Sequence, residues 1–497
     1  MVQLNREVAG LTGIPELPER VLQFGEGGFL RAFVDWMFHE LNKQQLFNGR
    51  VVIVQPIAAG MVPFVNEQEG LYTLLLRGLK EGKPVEETAV ISVVSRGLNP
   101  YNQWDEYLRC AEDPAIEFVV SNTTEAGISY EPTDRPDMTP PASFPAKLAL
   151  YLFHRFHHFQ GDPAKGMVIL PCELIDRNGD NLKSIILRLA REWHWPQAFT
   201  KWIEDHNYFL NTLVDRVVTG YPRDEVAALT ERFGYEDKLL NTGELFHLWV
   251  IEGPAHLEAR LPFAKAGLNV VWTDNMAPYR TRKVRILNGA HTASVPAAFL
   301  YGLDTVGEMM DHDVMGAFVR QTITEEIVPS IKLDKDMLTE FAAAVVERFR
   351  NPFIKHYLLS ILLNSSSKFK TRVLPSILEY QAQFGILPER LVFSLAALIT
   401  VYKNGVVDGS AMQARRDAGA FTLQDDDWAL AFFAHTWAEY DGTAAGAEKV
   451  AAAVLGNTRL CGRDLNAVPG LTEKTAAYLQ RIATDGIKAV AQQIVGR

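Results

Sequence analysis

Six short runs rich in β-branched and aromatic residues recur between residues 20 and 274, and none follows them. They are RVLQF (20–24), RVVIVQ (50–55), IEFVVSN (116–122), GMVILP (166–171), LFHLWVIEG (245–253) and NVVWTD (269–274). Segments of helical spacing, such as FLRAFVDWMFHELNKQ and NLKSIILRLAREW, lie among them. Strands buried on both faces read as such continuous apolar runs, so the pattern predicts an α/β domain on a mostly parallel sheet. From DNMAPYR (274–280) onward only helical spacing remains, as in DMLTEFAAAVVERFR, LVFSLAALITVYKNG and DWALAFFAHTWAEY. The expectation is an α/β domain over residues 1–277 and an all-helical domain over 278–497. Asp274 or Asn275 would cap the first helix of the second domain, and Pro278 suits its first turn. A chain of 497 residues is also too long for one ordinary core.

Bulk chemistry narrows the function classes. A net charge of -11 argues against a nucleic-acid surface, which needs a concentrated positive field, but leaves room for a small anion held by two or three local cations. Cys110, Cys172 and Cys461 are far apart and form no CxxC pair, which speaks against a disulfide framework and fits a reducing cytoplasm. The opening MVQLNREVAG has no apolar signal core, and LVFSLAALITVY (391–402) is shorter than a membrane span. The chain is therefore expected to be soluble and cytoplasmic, with no membrane or nucleic-acid partner. No pattern specifies an oligomeric state.

The first run leads directly into a glycine turn, VLQFGEGGFLRAF, followed by an amphipathic helix. Gly25, Gly27 and Gly28 stand where a Rossmann-type dinucleotide fingerprint needs them, with Phe29 opening the helix. The third glycine position of that fingerprint is Leu30, and a tight turn without ligand is the alternative reading. The second run ends in Gln55 rather than an acidic residue, so this stretch leaves NAD against NADP open. The loop SNTTEAGI (121–128) should lie on the same carboxyl edge, which makes Thr123 and Glu125 candidate cofactor contacts beside Gln55.

A second constellation is KVRILNGAH (283–291). On an ideal α-helix Asn288 falls about 140° from Lys283 and His291 about 80°. Gly289 costs roughly 1 kcal/mol in a helix interior, which suits the close approach of a ligand or another backbone. A lysine could exchange a proton with a carbonyl oxygen, an asparagine could hold the developing oxyanion, and a histidine could orient hydroxyls. Spacing alone favours the plainer reading of a solvated Lys, a buried His and an incidental Asn. FHRFHHF (153–159) brings His154, His157 and His158 together without a carboxylate or cysteine set. It reads as a helix surface rather than a zinc site, and HExxH, GxxxxGK[ST] and GxSxG are absent.

These segments, with EGLYTLLLRG (69–78), PCELIDRNGDNL (171–182), LVDRVVTGYPRDE (213–225) and RFRNPFIKH…SSSKFKTRVLP (348–375), occur in a familiar order. The chain resembles, over nearly its whole length, the polyol-specific long-chain dehydrogenase/reductase family, that of mannitol dehydrogenase. The resemblance implies a Rossmann-type domain joined to a helical one, with NAD as cofactor and no metal. It makes Lys283 the acid/base, Asn288 the oxyanion holder and His291 the third member of the site, and it adds Asp215 and Lys368 on the substrate side. The chain departs from the mannitol dehydrogenase pattern at Glu173-Leu174, where an Asp-Asn pair is usual. Ser360 replaces an arginine, and Phe33 a histidine. With His356 and Arg372 near Lys368, and Glu173 in a changed role, these departures point to a carboxylate-bearing sugar acid as substrate. SNTTEAGISY, TGYPRDEV and RFRNPFIKH resemble the sugar-acid branch of the family. Oxidation of a neutral polyol and activity on a stereoisomeric sugar acid are the alternatives.

Overall fold

The computed structural model describes residues 1–13, 16–124 and 126–496. The chain divides into two compact units, Met1–Gly78 with Val85–Met276, and Leu79–Pro84 with Ala277–Arg497. The first is built on a six-stranded parallel sheet. Its spatial order is Val94–Leu98, Arg50–Val54, Glu19–Phe24, Phe118–Ser121, Val168–Pro171 and Tyr208–Phe209. The chain therefore starts in the middle, winds one way and then the other, as in a dinucleotide-binding fold. The direction reverses between Glu19–Phe24 and Phe118–Ser121, and crevices for ligands open at the carboxyl end of such a pair.

Alternation along the strands puts half of each strand on either face. Leu22 and Phe24 pack with Tyr151, Leu152, Ile186 and Phe199 on one side of the sheet. Val21, from the same strand, packs on the other side with Phe33, Met37 and Leu41 of the helical segment after the glycine turn. All are buried, which is why the run reads as continuously apolar. Two of the six expected strands belong elsewhere. Leu248–Glu252 and Val270–Thr273 form a separate three-stranded sheet with Asn211–Asp215. Val94–Leu98, by contrast, sits in the main sheet, but its sequence VSRGL contains Arg96 and Gly97 and shows no apolar run. The proline-rich segment 130–145 is pinned by the buried Asp134, whose carboxylate accepts from Ala142 N at 2.6 Å and Ser143 N at 3.2 Å.

The second unit is helical, with one departure. Val406–Asp408, Ala411–Arg416 and Gly419–Gln424 form an antiparallel meander. Its period-2 pattern buries Met412, Ala414, Phe421 and Leu423, but the arginines and polar residues between them mask it in the sequence. The helix Glu389–Val401 is buried along nearly its whole length and packs on Gly289–Tyr301, where Ser394 Oγ donates to the carbonyl of Ala293. Small residues on Gly289–Tyr301 (GAHTASVPAAFLY) allow that approach. Among the described residues no helix is long and apolar enough to cross a membrane.

Gly70 and Gly82 test the packing at one strand pair. Both have positive φ, +77° and +72°, but a Cβ on Gly70 would lie 2.2 Å from the carbonyl oxygen of Val94, whereas nothing lies near one on Gly82. Gly70→Ala is expected to cost about 3 kcal/mol and Gly82→Ala about 1 kcal/mol. The midpoints of urea unfolding measure the difference, and equal midpoints would refute this account of the contact.

Candidate active site

At the switch point, Gly25 follows the first strand with φ +120°, and its N–H donates to Val54 O. A Cβ there would stand 2.9 Å from the carbonyl oxygen of Asn122, the residue that follows Phe118–Ser121. Only glycine fits where these two strand ends meet. Gly27 caps the helix Gly28–Ala32 and has open space around its Cβ position, whereas Gly28 is held against Asn241. The turn thus offers first-turn N–H groups and a side-chain-free approach, which is what a dinucleotide pyrophosphate requires, so these residues fit that group. Phe29 turns its ring onto Phe33, centroids 5.1 Å apart.

Two of the side chains suspected of touching cofactor are engaged with their own protein. Gln55 donates to Ile57 O at 2.8 Å and Ala58 O at 3.1 Å, and accepts from Val62 N at 3.3 Å. Thr123 gives both its N–H and its Oγ1 to Glu173, each at 3.0 Å. Ser121 Oγ donates to the other oxygen of that carboxylate, also at 3.0 Å. Glu173 is therefore a buried clamp between two strand ends, and burial pushes its carboxyl pKa up against these hydrogen bonds. Its neighbour Leu174 is 59% exposed. Glu125 lies outside the described residues. Asp215 closes the strand Asn211–Asp215 and is buried in the first unit, as Glu173 is.

The Lys-Asn-His group belongs to the second unit and has a geometry that an ideal α-helix does not describe. Ala277–Arg282 is α-helical, Lys283–Asn288 is a π-helical turn, and Gly289–Tyr301 is α-helical again. In a π turn the backbone bonds run i→i+5, here from Gly289 N–H to Val284 O. Residues five apart, such as Lys283 and Asn288, are then drawn toward a common face instead of standing about 140° apart. Arg285, buried inside the turn, locks it by donating to Ser376 Oγ, Glu379 and Ser330 Oγ at 2.8, 3.1 and 3.1 Å. Gly289 also gains a reason. A Cβ on it would lie 2.9 Å from the carbonyl oxygen of Arg372, at the end of the helix Ser365–Arg372.

That approach brings cations toward His291. The His291 ring stacks on Phe349 with centroids 4.0 Å apart and meets His356 edge-on at 5.3 Å. Its Nε2 is buried without a hydrogen-bond partner among the described residues. Burial first, then the charges of His356, Arg348 and Arg372, hold its pKa well below the ordinary histidine value, so the ring is neutral at pH 7. Burial and Lys368 lower His356 as well. Burial and Arg372 lower Lys368, with Asp425 opposing, and its Nζ donates to Ile361 O at 3.0 Å. A neutral imidazole with an unsatisfied nitrogen suits a substrate hydroxyl, and the surrounding positive field suits an anion. Sequence reasoning missed Phe349 and Arg348, whose only signal was their place inside RFRNPFIKH.

The three histidines of 153–159 do not converge. His154 Nε2 pairs with Glu112 at 2.8 Å, while His157 and His158 are exposed. No three His, Cys, Asp or Glu side chains cluster to hold a metal ion among the described residues.

Residues 19–265 match the mannitol dehydrogenase Rossmann domain, and residues 275–483 the mannitol dehydrogenase C-terminal domain. An altronate oxidoreductase of Yersinia enterocolitica is 50% identical over 476 residues, 95% of this chain and 96% of its own. An altronate oxidoreductase of Escherichia coli O6:K15:H31 is 48% identical over 96% of this chain and 97% of its own. The fold matches a D-sorbitol dehydrogenase solved in substrate-free form, with a TM-score of 0.79 at 19% identity, covering 98% of this chain and 99% of that one. It also matches Pseudomonas fluorescens mannitol 2-dehydrogenase, solved as a ternary complex with NAD and D-mannitol, with a TM-score of 0.70 at 20% identity and full coverage of both chains. Through both of its units, this chain belongs to the mannitol dehydrogenase family.

Proposed function

We propose that this chain is an NAD-dependent altronate oxidoreductase that interconverts D-altronate and D-tagaturonate in the cytoplasm. Half-identity to altronate oxidoreductases along 95% of the chain carries the reading. The positive surroundings of His291 support it chemically, because a sugar acid differs from a neutral polyol by one carboxylate. Residues 1–277 serve the dinucleotide and 278–497 the sugar acid.

The nicotinamide, when bound, supplies the hydride that reduces the ketone. Lys283 gives its ammonium proton to the carbonyl oxygen as negative charge builds there, and takes it back in the oxidative direction. Asn288, five residues on across the π turn, donates its amide N–H to the same oxygen. Neutral His291 bonds a neighbouring hydroxyl through Nε2 and so orients the sugar acid. Lys368, Arg372 and His356 hold the carboxylate end, with Lys368 and Arg372 four residues apart on one helix. Glu173 and Asp215 support the strand ends of the first unit.

Purified protein is expected to consume NADH on addition of tagaturonate, and turnover with no sugar acid would overturn the function. Lys283→Ala should retain NADH binding while losing about 10²- to 10⁴-fold in kcat. Near-normal turnover of that variant would remove the lysine from the chemistry and leave the substrate assignment standing. Lys368→Ala should raise KM for tagaturonate by about tenfold or more, with a smaller change in kcat, because a carboxylate contact is made equally in ground and transition states. Steady-state kinetics decide this, and a collapse of kcat at constant KM would place Lys368 among the reacting groups instead.

A further inference from the structure

A dinucleotide at the switch point sends its adenosine ribose toward the end of the second strand. There a carboxylate ordinarily accepts the 2′-hydroxyl and repels a 2′-phosphate. In this chain the second strand leads into Gln55-Pro56-Ile57-Ala58-Ala59-Gly60, which contains no acidic residue, and no lysine or arginine occurs between Gln55 and Gly70. The Gln55 amide is committed to its own loop by three hydrogen bonds. A carboxylate nevertheless stands at this loop, and it comes from the glycine turn of the first strand. Glu26 is 9% exposed, and its carboxylate lies against Gly60 and the amide end of Gln55. Gly60 leaves the space it fills: a Cβ there would lie 2.2 Å from Glu26 Oε1 and 2.6 Å from Gln55 Oε1. Arg31 fixes the turn from below, its Nε donating to Glu26 O at 3.0 Å.

Among the described residues no side chain donates a hydrogen bond to this carboxylate; the charge of Arg31 favours its ionised form against the burial that raises its pKa. What charge adds here is discrimination between ligands. We propose that Glu26 is the residue that selects NAD over NADP. It replaces, from the first strand's turn, the acidic residue that the second strand lacks, accepting a ribose hydroxyl and repelling a 2′-phosphate. The proposal rests on the NAD-dependent reading above and assigns that preference to one side chain.

Equilibrium binding of NADH and of NADPH to the purified protein, followed by nicotinamide fluorescence without any sugar acid, tests it. Wild type should bind NADH at least about tenfold more tightly than NADPH, and Glu26→Gln should shrink that ratio by about tenfold, chiefly by tightening NADPH. Glu26→Asp, which keeps the charge, should stay close to wild type in rejecting NADPH. Gly60→Ala, which crowds the carboxylate, should shift the ratio in the same direction as Glu26→Gln and serves if that variant does not fold. Equal weakening of both coenzymes in Glu26→Gln, with the ratio unchanged, would make Glu26 a strut and overturn the proposal. A wild type that binds both coenzymes equally would overturn it while leaving the oxidoreductase reading intact. Binding of neither would refute the dinucleotide reading itself.

Discussion

Between Lys283 and Asn288 the helix widens by one residue per hydrogen-bonded turn, and the next residue, Gly289, admits the carbonyl of Arg372 against the helix backbone. Much of the second unit's site follows from this one distortion. A π turn is less favourable than an α turn and persists where the surroundings hold it. Here Arg285 does so from within, tied to three side chains on two other segments. The result is that a lysine and an asparagine five residues apart can address one oxygen atom. An α-helix would have needed a spacing of three or four for that. The glycine matters equally, because the helix it receives carries both Lys368 and Arg372.

Three titratable groups of this region shift the same way. His291, His356 and Lys368 are all shifted toward their neutral forms, by burial and by one another's charge or that of the neighbouring arginines. Asp425, the acidic group acting on Lys368, is already fixed by Ser366 and Tyr402, where it anchors the start of the same helix. A carboxylate bound among these groups would oppose their shift toward the neutral forms. A neutral polyol would gain nothing comparable. The physical difference between a polyol dehydrogenase and a sugar-acid dehydrogenase on one fold can thus lie in a few side chains of two helices and the loop before them.

Much of the architecture was legible in the sequence because it rests on local rules. Apolar runs such as RVVIV become strands buried on both faces, and the glycine turn appears where the first strand ends. What escaped reading was non-local. Leu248–Glu252 and Val270–Thr273 look like strands of the main sheet, yet Leu248–Glu252 pairs with Asn211–Asp215 on one side and Val270–Thr273 on the other, which takes both into another. The meander at 406–424 hid its alternation behind charged residues, and the π turn hid behind helical spacing that it shares with an α-helix. In the site, the Lys-Asn-His set could be picked out but its shared face could not. Gln55 and Thr123 were drawn correctly to the carboxyl edge, while their hydrogen bonds to Ile57, Ala58 and Glu173 depend on folds of loop that no spacing encodes. Glu26 went unnoticed because its distance from Gly60 in sequence conceals their closeness in space.

A carboxylate, and not merely a ketose, is what the cationic surroundings of His291 are expected to receive. The measurement is the ratio of kcat/KM for NADH-dependent reduction of tagaturonate to that for tagatose, its neutral counterpart with a hydroxymethyl group in place of the carboxylate. One well-placed ionic contact predicts a ratio of about tenfold, and two or more predict about a hundredfold or above, falling as salt is raised. Comparable efficiency on the two ketones, unmoved by salt, would contradict it.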